Sequence, residues 1–197
     1  MFILTIDQRG SRRAPDRVPA LLAGLPALPG VLRHAERTVG DEVQAVLDDA
    51  TGAVLLALHA LRLGEWSVGI GAGPVDQPLP ASAREGRGEA FVLARAAVDA
   101  AKSRNRSVPL AVRGIEPAAA QDAEAVLTLL GAVLARRTPA GWAAIDETRR
   151  SSGGQEAVAA RLGISQQAVS ERLRTALWAE ELAARPAAAR LLTLAAG

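Results

Sequence analysis

The alternation between strand and helix patterns stops near residue 117, and this change constrains the fold more than any other feature of the sequence. Before it, short apolar runs typical of buried strands alternate with segments whose apolar residues recur at helical spacing. After it, every periodic segment is helical. The sequence therefore predicts an α+β fold in two domains, a sheet domain over residues 1–116 and an all-α domain over residues 117–197.

The first region shows the element order β-α-β-β-α-β with an additional strand. This order is typical of a ferredoxin-like antiparallel sheet that carries its helices on one face. The predicted strands cover residues 2–6, 31–39, 42–48, 66–75 and 109–112, and the helices between them cover 17–28, 50–63 and 88–103. The predicted helices of the second region cover 122–136, 139–149, 155–162, 166–183 and 186–194.

Composition excludes several kinds of site. The chain has no Cys, which excludes a disulfide framework, a thiolate zinc site and a Cys nucleophile. Its two His residues, His34 and His59, are too few and too far apart for a histidine metal site. With 23 Lys and Arg against 21 Asp and Glu, the net charge of +2 permits DNA binding without arguing for it.

No apolar run approaches the roughly 20 residues that a membrane-spanning helix needs. At the start of the chain, MFILTIDQRGSRR, the basic cluster follows a very short apolar stretch, which is not the pattern of a signal peptide. These features predict a cytoplasmic protein with no membrane partner.

The segment 155–174, QEAVAARLGISQQAVSERLR, has the pattern of two helices that cross at a tight turn. Ala159 is small enough for a close crossing, and Gly163 occupies a turn where the backbone often adopts positive φ. Ser165 is a good N-cap for the second helix. The apolar residues that would close the angle are Val158, Leu162, Ile164, Val169 and Leu173.

This pattern closely resembles the helix-turn-helix of bacterial repressors and regulators, here placed at residues 155–178. The resemblance implies that the second helix, over residues 166–178, lies in the major groove of double-stranded DNA. Gln pairs bidentately with adenine and Arg with guanine, so polar side chains on this helix would read bases. We expect Ser165, Gln166, Gln167, Ser170, Glu171 and Arg174 to face the bases, and Arg172 and Arg161 to contact phosphates.

The charge of this region bears on how many copies bind. From Thr138 to Gly197 the chain has seven Arg and six acidic residues, so the region is almost neutral. Because DNA affinity rests largely on phosphate neutralisation, one copy would bind weakly. A homodimer on a palindromic site is therefore expected. The alternative for the same pattern is a helical hairpin used only for packing.

Two acidic residues lie where neighbouring strands end. Asp7 closes the first strand, and Asp41 sits in the predicted turn between the second and third strands. Two carboxylates so placed can share a divalent cation, and the amides of residues 8–11 could cradle phosphates where the next helix begins. The alternative is turn chemistry, since Asp favours strand ends and tight turns.

Together with the Gly-rich strand 68–73, these pieces resemble the SatD family of bacterial proteins over residues 2 to about 113. More distantly, they are similar to class III nucleotide cyclases. The cyclase pattern has a metal-binding Asp followed three residues later by Gly, which matches Asp7 and Gly10. It has a second metal-binding Asp directly after a Gly, which matches Asp41. The cyclase likeness implies that Asp7 and Asp41 hold Mg with a nucleotide. The nucleotide site would comprise Gly10, Ser11 and Arg95, with Arg95 as the arginine that stabilises the transition state.

The sequence departs from the cyclase pattern at one catalytic position. The Asn expected four residues before Arg95 is Phe91, so we predict that the protein is not an enzyme. The Gly-rich strand has its own alternative, which is close packing between a helix and a strand.

Three functions follow from these patterns. The leading expectation is a DNA-binding transcriptional regulator that acts as a homodimer and whose first domain dimerises or senses a nucleotide effector. The alternative is a divalent-metal-dependent nucleotide-binding or nucleotidyl cyclase-like enzyme. The third is a dimerising adaptor that contacts polymerase or another regulator.

Overall fold

Five strands and eight helices make up the α+β fold, as the computed structural model, which describes all 197 residues, shows. The predicted fold class is confirmed at this level. The strands are β1 Phe2–Gln8, β2 Val31–Arg37, β3 Glu42–Leu47, β4 Trp66–Ala72 and β5 Leu110–Gly114. The helices are α1 Val18–Ala23, α2 Ala50–Leu63, α3 Glu89–Ala101, α4 Pro117–Arg136, α5 Pro139–Arg150, α6 Gly154–Leu162, α7 Gln166–Thr175 and α8 Trp178–Ala195.

The strands form one sheet in the order β2-β3-β1-β4-β5. β1 pairs antiparallel with both β3 and β4, and β2 pairs antiparallel with β3. β4 and β5, however, are parallel. The expectation of a purely antiparallel sheet is therefore wrong for the last strand, because α3 forms a crossover that returns the chain in the same direction.

Helices cover both faces of the sheet, which corrects the expectation of helices on one face. Alternate residues of β1, such as Leu4, point into the larger core that α2 shares. Ile3 points to the other face, where it packs with Phe91 and Ala94 of α3. Coverage on both sides explains why nearly every residue of β1 and every residue of β4 is buried.

The glycines of β4 allow α3 to approach the sheet closely. A Cβ built at Gly69 would lie 2.2 Å from the backbone nitrogen of Val98. One at Gly71 would lie 2.1 Å from the carbonyl oxygen of Ala90. Close helix–strand packing therefore accounts for this Gly-rich stretch.

Two helices of the second half belong to the core of the sheet. Leu127 of α4 and Leu192 of α8 are fully buried in the same cluster as β1, β4 and α2. α5, α6 and α7 lie beyond this core, and α6 and α7 enclose a small cluster of their own. The predicted boundary at residue 116 thus does not separate two hydrophobic cores.

The ends of several helices differ from the expected ones. α7 ends at Thr175, whereas the sequence pattern continued it to 178 or 183, because Leu177 adopts a left-handed conformation with φ of 51°. α8 then runs through Pro186 as one helix instead of beginning there. Packing of the α8 residues Ala188 and Leu192 into the core outweighs the backbone hydrogen bond that the proline removes.

By length and composition alone, α4 could cross a membrane, so the expectation that no apolar segment reaches this length is wrong. Part of its apolar surface, however, is buried within the protein, whereas Leu129 is exposed. Leu127, Leu130 and Leu134 lie in the main core, and the helix packs against α2, β5 and α8. α4 thus contributes one side to the main core.

Candidate nucleic-acid interface

The turn between α6 and α7 uses the residues that the sequence pattern singled out. Gly163 has φ of 64°, a left-handed conformation that strains any residue with a side chain. The amide of Ile164 donates to the carbonyl of Ala159, which closes the end of α6. Ser165 Oγ accepts a hydrogen bond from the amide of Ala168 at 3.1 Å and caps α7.

A small apolar cluster fixes the angle between the two helices. Val158 and Ala159 of α6 and Val169 of α7 are buried against one another. The half-buried residues packed around them are Leu162, Ile164 and Leu173. Val169 is the only fully buried residue of α7, and the side of the helix that faces away from this cluster is exposed.

The opposite side of α7 is a continuous polar surface. All the side chains expected to face bases are exposed there, and the structure brings them together on one helix and its cap. They are Ser165, Gln166, Gln167, Ser170, Glu171 and Arg174. We call this set of residues the polar face of α7.

Two charged residues of the polar face form an ion pair with each other. Arg174 donates to both carboxylate oxygens of Glu171, at 2.6 and 2.9 Å. The hydrogen bond from Arg174 lowers the pKa of Glu171. Both side chains are exposed, and such surface pairs contribute little to stability. Arg174 can therefore exchange Glu171 for a base edge at small cost.

The two arginines expected on phosphates differ in their surroundings. Arg161 Nη1 lies 2.6 Å from Glu147 Oε1, so this side chain ties α6 to α5. Arg172 has no carboxylate partner and is half-buried at the C-terminal end of α7. Of the two, Arg172 is the one free to neutralise a phosphate.

An aromatic and ionic contact joins α5 to α2 and to the end of α4. Arg62 of α2 donates to both oxygens of Asp146 at 2.6 and 2.5 Å, and this hydrogen bonding lowers the pKa of Asp146. The guanidinium groups of Arg62 and Arg137 lie 4.1 and 4.8 Å from the ring centroid of Trp142. Sequence reasoning missed this contact, because its members are far apart in the chain.

A buried ion pair holds the end of α4 to α8. Arg137 Nη1 lies 2.5 Å from Glu181 Oε2, and the two side chains are 1% and 3% exposed. Arg137 Nε also donates to the carbonyl of Ala176 at 2.7 Å, in the turn that follows α7. Arg185 hydrogen-bonds Glu181 from the next turn of α8. The position of α7 therefore depends on a side chain that the sequence pattern did not single out.

At the end of β1, the predicted metal-ligating Asp7 is bound to a lysine. Lys102 Nζ, which belongs to the only Lys of the chain, lies 2.8 Å from Asp7 Oδ2. Burial raises the pKa of Asp7, the hydrogen bond from Lys102 opposes the rise, and the charges of Asp41 and Glu42 add to it. No group of three His, Cys, Asp or Glu side chains in the chain is arranged to hold a metal ion. The cation nearest to Asp7 is thus an ammonium group.

A basic cavity of about 560 Å³ opens beside Asp7 and contains the predicted Gly10 and Ser11. No apolar residue lines it, and Asp7 is its one acidic residue. The next helix, α1, begins only at Val18, so no helix N-terminus points at residues 8–11, contrary to the expectation. The cations of this basic cavity are Arg9, Arg12, Arg13, Lys102 and Arg104.

Arg95 does not join this cavity. It lies 2.5 Å from Glu42, whose side chain is 6% exposed and accepts a hydrogen bond from Thr38 Oγ1 at 2.7 Å. Arg95 lines a different cavity, together with Thr38 and Phe91. The structure thus places Arg95 in a different cavity from Gly10 and Ser11, so it does not bring the three predicted nucleotide-binding residues together. Glu42, which pairs with Arg95, faces α3, and the sequence alone does not reveal this position.

The structure thus presents two separate polar sites, the polar face of α7 and the basic cavity beside Asp7. Comparison of the chain with family models, curated proteins and solved structures finds no match. Function is therefore inferred from the residues and geometry of these two sites.

Proposed function

We propose that the protein is a cytoplasmic DNA-binding transcriptional regulator in which α6 and α7 form a helix-turn-helix. The observation that carries this proposal is α7 itself. It is capped by Ser165, held through the single buried residue Val169, and polar over its exposed surface. A helix kept only for packing would bury more than one of its side chains. α7 would lie in the major groove as the recognition helix.

The composition of the polar face suits base recognition better than simple attraction to phosphate. Gln166 and Gln167 begin α7, and in this motif the N-terminal residues of the second helix contact base edges. Gln offers a donor and an acceptor that match adenine, and Arg174 matches guanine. Arg172 would add a phosphate contact that sets the register.

Charge accounting supports a homodimer. Of the seven Arg residues after Thr138, four are already paired within the chain: Arg150 and Arg161 with Glu147, Arg174 with Glu171, and Arg185 with Glu181. Only three, Arg149, Arg172 and Arg190, have no carboxylate partner. A single copy thus neutralises few phosphates, whereas two copies on a palindromic site double that number.

In this proposal the sheet-containing half serves dimerisation and effector sensing, in line with its likeness to the SatD family and, more distantly, to nucleotide cyclases. Phe91 stands at the position of the cyclase Asn, and only 9% of it is exposed. Its ring packs so closely on Gly86 that a Cβ added at Gly86 would lie 2.1 Å from the ring. No amide side chain therefore stands four residues before Arg95. This supports a role without turnover.

Selection of DNA from a random duplex library tests the regulator proposal and yields the sequence of the site at the same time. The full chain should enrich an inverted repeat whose half-sites lie about 10 base pairs, or one helical turn, apart. Binding should weaken steeply with salt, because phosphate contacts release counterions. Absence of any enriched sequence at low salt would rule out the proposal.

A nucleotide is the second candidate ligand, and the basic cavity is the observation that favours it. Five cations around a single acid suit a phosphorylated molecule, and Asp7 already pairs with Lys102.

Calorimetric titration with ATP and with GTP, with and without Mg, tests this second candidate. We expect binding without Mg, and a loss of about tenfold in affinity in Lys102→Gln, because a charge-assisted contact is removed. Arg190→Gln, an exposed change outside the cavity, is the matched control. Equal affinity of the Lys102→Gln protein and the control would contradict the assignment.

A further inference from the structure

A cavity of about 480 Å³ lies where α4, α5 and α7 meet, away from the basic cavity and next to the polar face of α7, whose Glu171 lines it. Its size falls within the range of roughly 300–1,000 Å³ that is typical of small-molecule pockets. The apolar walls are Leu129, Ala132 and Val133 of α4, and Ala176 and Leu177 of the turn after α7. We call it the α4–α7 cavity.

Two unpaired cations stand at this cavity. Arg136 and Arg172 both line it, and neither has a carboxylate partner. The other charged lining residues are already matched: Arg137 by Glu181, and Glu171 by Arg174. The α4–α7 cavity therefore combines apolar walls with two available guanidinium groups.

We propose that the α4–α7 cavity binds a small organic acid, that is, one carboxylate on an aromatic or branched aliphatic body. The carboxylate would pair with Arg136 and Arg172, since guanidinium groups match carboxylates in planar, bidentate geometry. The apolar body would displace water from Leu129, Val133 and Leu177. A nucleotide fits poorly here, because Thr138 and Thr175 are the only uncharged polar side chains that line the cavity.

The location of the cavity couples it to α7. Leu177 lines the cavity and has a left-handed backbone, a strained state for a branched side chain. Arg137 holds the carbonyls of Ala176 and Leu177, so the turn after α7 has a fixed geometry that a bound ligand contacts directly. This coupling rests on the proposed function: because Arg172 would pair with the carboxylate of the ligand instead of a phosphate, a bound acid lowers the affinity of α7 for DNA.

The binding test uses 1-naphthoate and its neutral analogue 1-naphthamide, followed by methyl NMR of the full-length protein. We expect saturable shifts of the Leu129, Val133 and Leu177 methyl signals with naphthoate, and about tenfold weaker binding of naphthamide. Arg136→Gln should weaken naphthoate about tenfold and leave naphthamide unchanged. Arg136 is exposed, so its replacement leaves the fold intact, and Arg190→Gln is the matched control.

Three results would overturn the assignment: shifts only at other methyl groups, equal affinity for the acid and the amide, or no effect of Arg136→Gln. The coupling is measured separately, as the affinity for a selected DNA duplex with and without saturating naphthoate, and we expect a change of severalfold. Naphthoate binding without DNA binding would uphold the cavity and overturn the regulator proposal. DNA binding without naphthoate binding would overturn the cavity assignment and uphold the regulator proposal.

Discussion

Replacement of Glu181 by Gln is expected to lower the free energy of unfolding by about 3–5 kcal/mol, the usual cost of removing one member of a buried ion pair. The change leaves the volume of the side chain almost unaltered, so the effect reports charge. Arg137, only 1% exposed, would keep its hydrogen bond to the carbonyl of Ala176 but lose its counter-charge. Arg185 would lose its ionic partner as well.

Urea unfolding followed by circular dichroism measures this effect. Glu180→Gln is the matched control, because Glu180 precedes Glu181 on the same helix, is exposed and has no ion pair. The control should change stability by less than about 0.5 kcal/mol. If Glu181→Gln costs less than about 1 kcal/mol, the buried pair does not hold α4 and α8 together as described.

The second large effect is expected at Gly71, where an added methyl group meets backbone. A Cβ there would lie 2.1 Å from the carbonyl oxygen of Ala90 and 2.4 Å from the backbone nitrogen of Ala94. Neither atom can turn aside, so α3 as a whole must move away from β4. Gly71→Ala should therefore destabilise the protein by about 3 kcal/mol, at the upper end of the usual cost of overpacking.

Gly73→Ala is the matched control for this prediction. Its added Cβ would meet Ile115 at 2.9 and 3.0 Å, but only at side-chain atoms that can change rotamer. The same denaturation experiment should therefore show a clearly smaller loss for Gly73→Ala. Equal losses at the two positions would mean that the approach of α3 to β4 does not require glycine at 71.

Much of the fold follows from local signals in the sequence. The apolar runs around β1 and β4, the periodicity of α2, and the Gly and Ser that shape the turn into α7 each depend on residues close together in the chain. Gly163 adopts the expected positive φ, and Ser165 caps α7 as its side chain suggests. Such features are set by steric and hydrogen-bonding rules that operate within a few residues.

The remainder depends on contacts between distant segments, which a local pattern does not encode. α3 crosses the second face of the sheet and returns the chain so that β5 pairs in parallel with β4, and no residue in either strand signals that direction. The partner of Asp7 is Lys102 at the end of α3, and the partner of Arg95 is Glu42 on β3. Tertiary packing likewise keeps α8 continuous across Pro186.

The most direct test of DNA recognition by α7 compares two double variants on a duplex selected by the wild-type protein. Fluorescence anisotropy at several salt concentrations would measure the affinity of the double variant Gln167→Ala with Arg174→Ala. The control is Gln155→Ala with Arg87→Ala, which removes a glutamine away from the polar face and an exposed arginine of the sheet-containing half. Loss of two base contacts should weaken specific binding about 100-fold, with non-specific binding largely retained and the control unchanged. Wild-type affinity in the Gln167 and Arg174 double variant would contradict recognition by α7.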